Sequence, residues 1–121
     1  HVFISIHANA AGGGFLRAGG TSAFYHDPFW APLASHIYGH MLELGFGEFG
    51  TVGSFNYRPT RMSSVPAVLV EQAFMTHAED EEFLASEAGQ QAIAGKVLAG
   101  LLDWLAQQPV DRAVAHPDIV P

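Results

Sequence analysis

Apolar and polar residues follow two different periods along this chain, and the switches between them mark its elements. Val2 to Ile6 is a short, β-branched apolar run that predicts a buried strand. It gives way to His7-Ala8-Asn9-Ala10 and then to Gly12-Gly13-Gly14, which puts His7 at the strand's C-terminal end. Thr21 to Tyr25 predicts a second strand, entered through the Gly19-Gly20 turn. His26-Asp27-Pro28 then opens a helix, with Asp27 as N-cap and Pro28 at the first helical position. Trp30, Leu33, Ala34, Ile37, Tyr38 and Met41 recur at helical spacing and form one buried stripe, and Gly45 supplies the stop.

Residues 45–65 carry Gly, Ser, Asn, Pro and Thr with Phe46, Phe49, Phe55 and Tyr57 interspersed, which predicts a long loop with aromatic anchors. Ala67 to Val70 is continuously apolar and ends in Glu71, as expected of a central strand buried on both faces. Thr76-His77-Ala78-Glu79 has capping-box spacing and predicts a short acidic helix. A long helix from about Ser86 to Gln107 is expected to bury Ile93, Val97, Leu98, Leu101, Leu102 and Leu105, with Pro109 after its end. Strands alternating with helices predict an α/β layered domain over residues 1–108, and the aperiodic stretch 109–121 reads as a linker or disordered tail.

Length and composition narrow the function. The 121 residues suffice for one domain and, with 49% of them apolar, for a sizeable core. Five Lys and Arg against twelve Asp and Glu leave a net charge of -7, which excludes the clustered cations that nucleic acid or an anionic membrane surface requires. No apolar run is long enough to span a bilayer. With no cysteine, disulfides, thiolate metal sites and cysteine nucleophiles drop out. The chain opens directly in a core strand with no polar lead-in, which predicts that an upstream part belongs to the same domain.

Two residues carry the candidate chemistry. His7 ends a strand and is followed by small residues and glycines, and Glu71 ends another strand that is otherwise entirely apolar. A carboxylate joined to Ala67-Val68-Leu69-Val70 is costly to bury unless it is paired, hydrogen-bonded or metal-linked. An imidazole and a carboxylate at neighbouring strand ends suit a metal site in which the carboxylate is a ligand or a general base. An ion pair of Glu71 with Arg61 or Arg58 is the structural alternative.

Ser5-Ile6-His7-Ala8-Asn9-Ala10 resembles a signature of zinc-dependent N-acetylmuramoyl-L-alanine amidases. Arg61, four intervening residues, Pro66-Ala67-Val68-Leu69-Val70-Glu71, Phe74 and the acidic stretch Glu79 to Glu82 resemble that family's second signature. The resemblance runs from residue 2 to about 105. It implies a mixed, mostly parallel sheet with helices on both faces and a zinc ion held by two His and one Glu. His7 maps to one of those ligands and Glu71 to the catalytic acid/base. Arg61 maps to the signature arginine, suited to stabilising negative charge or holding a substrate carboxylate. Asn9, directly after the ligand, is placed to orient it or the substrate. The implied reaction is hydrolysis of the amide between N-acetylmuramic acid and L-alanine of peptidoglycan, in the periplasm or outside the cell, with room for a protein activator.

The chain departs from the pattern in lacking the upstream segment that brings the other two ligands, and it is expected to be the C-terminal part of such a domain. Ala73 replaces a frequent Gly, and Thr76-His77 a common Ser-Asn. A non-catalytic relative that binds cell-wall peptide therefore stays open as a second reading, and another zinc peptidase as a third. His36 and His40, at i and i+4, are expected to be a solvated pair off the apolar stripe. His26 is a weaker candidate for the cleft, and His1 and His116 carry no role. Asp80, Glu81 and Glu82 suit a helix N-terminus. The aromatics of residues 46–57 fit either a groove for glycan or peptide, or anchors to the core.

Overall fold

The computed structural model describes residues 1–13, 19–61 and 64–109. Four strands, β1 (Phe3–Asn9), β2 (Thr21–Tyr25), β3 (Glu48–Val52) and β4 (Ala67–Phe74), form one sheet in the order β1-β4-β2-β3. β1 runs parallel to β4 and β2 parallel to β3, while β2 and β4 are antiparallel, so the sheet is mixed and mostly parallel. Helices α1 (Ala31–Leu42), α2 (Ala78–Ala85) and α3 (Glu87–Ala106) complete the described elements. The expected linker lies largely outside the described residues, as do Gly14 and His116.

Alternation along the strands decides which side chains meet the helices. Ala23, Val68 and Val70 join Leu33, Ala34, Ile37 and Met41 of α1 and Ile93 and Trp104 of α3 in a single core. β4 is flanked on both sides, and Ala67 to Val70 are buried as a central strand requires. α1 begins as expected: Asp27 Oδ1 accepts from the Phe29 N–H at 3.0 Å, and Pro28 opens a short 3-10 turn (Pro28–Trp30) that runs into the helix.

α3 corrects the sequence reading. Ser86 caps it by accepting from the Gly89 N–H, and Ile93, Gly100 and Trp104 face inward. Leu98, Leu102 and Leu105 are instead about half exposed. The cause is Gly100, where a Cβ would lie 2.5 Å from Ile37 Cα. The two helices touch backbone to backbone there, so the contact line follows residues 93, 97, 100 and 104 and leaves the leucines beside it. Leu98 borders an open groove of about 340 Å³ between β1 and α3, with Ile6 opposite.

Two further expectations fail locally. The stretch 45–65 is not simply a loop, because it contains β3 and a 3-10 turn (Arg58–Arg61). β3 pairs only with β2, and Gly50 within it takes a positive φ of 99° near a register shift, so its sequence lacks the alternation of a central strand. The capping box at Thr76 does not form. His77 holds the N-cap position of α2, and Thr76 Oγ1 accepts instead from the Ala11 N–H at 3.0 Å, tying β4's exit to the loop after β1.

Candidate active site

The face of the sheet opposite α1 and α3 holds the candidate chemistry. In the β1–β4 pair His7 stands directly against Glu71, and in the β4–β2 pair Glu71 stands against Ser22. The three residues therefore form one row across three strands on one face. Both candidate strands continue past these positions, so His7 and Glu71 lie within β1 and β4 rather than at their ends. Beyond Glu71 the register slips: β1 advances two residues from His7 to Asn9 while β4 advances three from Glu71 to Phe74. This extra residue on β4 turns Ala73 into the core and bends the strand next to Glu71, a feature common beside functional groups.

Each member of the row has a distinct environment. His7 Nε2 lies 2.9 Å from Ser5 Oγ, two residues back on the same face, and its carbonyl accepts from Gln72 Nε2 at 3.1 Å. The Glu71 carbonyl accepts from Thr21 Oγ1 at 3.1 Å, which locks its backbone. Its side chain is less provided for. Glu71 Oε2 is buried and, among the described residues, has no hydrogen-bond partner, and the same holds for Ser22 Oγ across the strand. Burial pushes the Glu71 carboxyl above its usual range, and the charge of nearby His7 pulls it partly back. A carboxyl raised in this way can both take up and release a proton in a reaction.

The remaining candidates lie outside this row. Arg61 and Arg58 are exposed in the 3-10 turn, and among the described residues neither forms an ion pair, so a buried pair with Glu71 is not what holds that carboxylate. Asn9 Oδ1 accepts from its neighbour's Ala10 N–H at 2.8 Å. His26 is exposed just after Tyr25, whose strand partner is Val68, toward the opposite edge of the sheet from His7. His40 is not simply solvated: its ring contacts Asp103 at 2.7 Å and Glu43 at 3.1 Å, bridging α1 to α3. The aromatic residues divide between their two expected roles. Phe46 is buried in the core, whereas Phe49 and Tyr57 are about half exposed.

Sequence reasoning missed the role of Asp80. It is buried, and its Oδ2 accepts from the Gly20 N–H at 2.8 Å and the Phe74 N–H at 2.9 Å, while Oδ1 lies 3.2 Å from His77 Nδ1. One carboxylate thus ties the entry of β2, the exit of β4 and the start of α2 together beside Glu71. An acid in the first turn of an acidic helix gives no sequence signal for this, because Glu79 and Glu81 beside it look the same.

Zinc sites that catalyse hydrolysis use three protein ligands and an open position. Among the described residues no three His, Cys, Asp or Glu side chains converge to hold a metal ion. The His7–Glu71 pair, with its unpartnered carboxylate oxygen, fits one side of such a site and not the whole of it. Among the described residues no helix is long and apolar enough to cross a membrane.

Residues 1–103 match the model of the family described as Amidase_3, N-acetylmuramoyl-L-alanine amidase. Solved structures give the same picture. The amidase AmiC2 of Nostoc punctiforme is 31% identical with a TM-score of 0.80, over 88% of this chain and 58% of its own. An amidase from Clostridium difficile 630 is 27% identical with a TM-score of 0.82, over 89% and 59%. The catalytic domain of CwlV from Bacillus (Paenibacillus) polymyxa var. colistinus is 27% identical with a TM-score of 0.78, over 88% and 59%. The uncharacterized protein YqiI of Bacillus subtilis (strain 168) is 28% identical over 88% of this chain and 52% of its own. The chain therefore spans little more than half the length of these relatives.

Proposed function

We propose that this chain, which belongs to the N-acetylmuramoyl-L-alanine amidase family, serves in hydrolysis of the amide that joins N-acetylmuramic acid to the first L-alanine of the peptidoglycan stem peptide. The substrate places the activity in the cell envelope, outside the cytoplasmic membrane. One observation carries the reading. His7 and Glu71 oppose each other in adjacent parallel strands, and among the described residues the buried Glu71 oxygen has no partner.

In this reading His7 is one ligand of a zinc ion, and the remaining ligands come from outside the described residues. Zinc, when bound, supplies a Lewis-acid centre that acidifies water and polarises the scissile carbonyl. Glu71 takes a proton from the attacking water at its buried oxygen and gives it to the departing L-alanine nitrogen. Its raised pKa suits both halves of that exchange. Ser5, against the His7 ring, fixes the imidazole's orientation. Arg61, exposed and free of an ion pair among the described residues, is available to a substrate carboxylate.

The test is release of L-alanine-terminated peptide from a defined muramoyl-peptide by the full-length protein, with and without chelator, alongside metal content per chain. The expected result is chelator-sensitive turnover that is lost in Glu71→Ala, and reduced zinc content in His7→Ala. Chelator-insensitive turnover, or full activity in Glu71→Ala, overturns the assignment. Binding of the muramoyl-peptide without cleavage points instead to a non-catalytic relative.

A further inference from the structure

The geometry points to a glycopeptide subsite built on Tyr57 and Arg58, with Tyr57 stacking against a sugar ring of the glycan strand and Arg58 pairing with a stem-peptide carboxylate. The inference rests on the amidase reading and deepens it by naming what holds the substrate away from the reacting bond.

The row His7–Glu71–Ser22 continues along the same face of the sheet. Two residues before Glu71, Leu69 stands against Phe24. Phe24 packs on Phe55 with ring centroids 4.6 Å apart, and Phe55 stacks on Tyr57 at 5.3 Å with an angle of 27° between the rings. Phe24 is 9% exposed and Tyr57 47%, so the series begins in the protein and ends at a half-exposed ring. The stacked rings therefore build outward from the face of the sheet that also carries Glu71. A pyranose presents C–H groups from its flat face, and these are attracted to the electron-rich face of an aromatic ring.

The ledge is rigid. Phe55 N–H donates to the Tyr25 carbonyl, Tyr57 N–H to the Phe55 carbonyl, and Thr60 and Arg61 N–H both to the Tyr57 carbonyl. Thr60, itself buried, sends its hydroxyl toward the Phe55 and Tyr57 carbonyls, each at 2.9 Å. A ring held in place before binding loses little freedom when a ligand arrives.

Charge singles out the same turn. Only five residues of this acidic chain are Lys or Arg, and two of them, Arg58 and Arg61, flank the ledge. Lys96, by contrast, is engaged with Glu43. Among the described residues neither arginine pairs with an acid, so both guanidinium groups are available to a carboxylate-bearing ligand.

The experiment is titration calorimetry on the full chain carrying Glu71→Gln, so that binding is read without turnover. The probes are chitotetraose, a free stem tripeptide and a disaccharide-tripeptide. Tyr57→Leu keeps apolar bulk over Phe55 but has no π face, and it is expected to weaken chitotetraose and the disaccharide-tripeptide about tenfold while leaving the free tripeptide unchanged. Tyr57→Trp should retain binding. Arg58→Gln should weaken both carboxylate-bearing probes and spare chitotetraose. Unchanged chitotetraose binding in Tyr57→Leu, or equal weakening of all three probes, overturns the subsite while leaving the amidase reading intact. Failure of the parent chain to bind the disaccharide-tripeptide brings down both.

Discussion

Replacing Glu71 by Gln should make the metal-free protein more stable at neutral pH, although it removes the residue assigned to proton transfer. The carboxylate follows apolar strand residues, and one of its oxygens is buried with no partner among the described residues. Burying an unpaired charge costs more than burying a neutral amide in the same place, and partial exposure together with the attraction of His7 keeps that difference to about 1 kcal/mol. Gln matches its shape without charge, so the gain expected is about 1 kcal/mol, or roughly 4 °C in melting temperature for a domain of this size. The pH dependence gives the sign. A carboxyl whose folded pKa is raised binds its proton more tightly in the folded state. Its favourable contribution is present below the unfolded value, about 4.3, and is lost as pH rises through the folded value. The difference between the parent protein and its Glu71→Gln variant should accordingly vanish near pH 4 and open toward pH 7. Thermal melts of both proteins in chelator across that range test it. A Glu71→Gln protein that melts lower at pH 7, or a difference that does not change with pH, refutes the account of a strained carboxylate.

Other outcomes follow from the same packing and hydrogen bonds. Asp80→Ala leaves the Gly20 and Phe74 N–H groups without their acceptor and should cost about 2–4 kcal/mol, seen as a lower urea midpoint. Gly100→Ala inserts a methyl against the Ile37 backbone, and the overpacking should outweigh the helix-propensity gain by about 1–2 kcal/mol in thermal melts. Ile93→Ala should cost about 2–5 kcal/mol, whereas Leu98→Lys, at a half-exposed position of the same helix, should stay within about 0.5 kcal/mol. Turnover by the full-length protein should fall on the acid side as Glu71 takes up a proton and can no longer act as a base, and a pH–rate profile of kcat/KM that loses this limb in Glu71→Gln checks it.

Much of this was legible in the residues wherever a single period ruled. Ala67 to Val70 allow no reading but a central strand, and the Asp27-Pro28 pair fixes where the first long helix begins. Misreadings occurred where tertiary contact outvoted local pattern. Leucines at 98, 102 and 105 have helical spacing, yet Gly100 brings α1 in along a different line. Thr76 has the spacing of a cap, but its hydroxyl is claimed by Ala11 across the sheet edge. β3 hides because an edge strand interrupted by Gly50 needs no alternation. At the site, Glu71 stood out as a carboxylate closing an apolar strand, and His7 as an imidazole where a strand gives way to small residues and glycines. Ser22 and Asp80 did not, since burial of a serine or an acid is decided by the partners that surround it.

The pairing of β1 with β4 also governs how this protein comes together. Gln72 and His7 share a hydrogen bond although they are 65 positions apart. Parallel strands so distant in the chain must close a long loop before any of their contacts form, which slows folding. Residues 67–70, apolar throughout, are then open to pairing with another copy until that closure occurs. The row of His7, Glu71 and Ser22 exists only once that closure is complete, so chemistry at Glu71 requires the long-range pairing of β1 with β4.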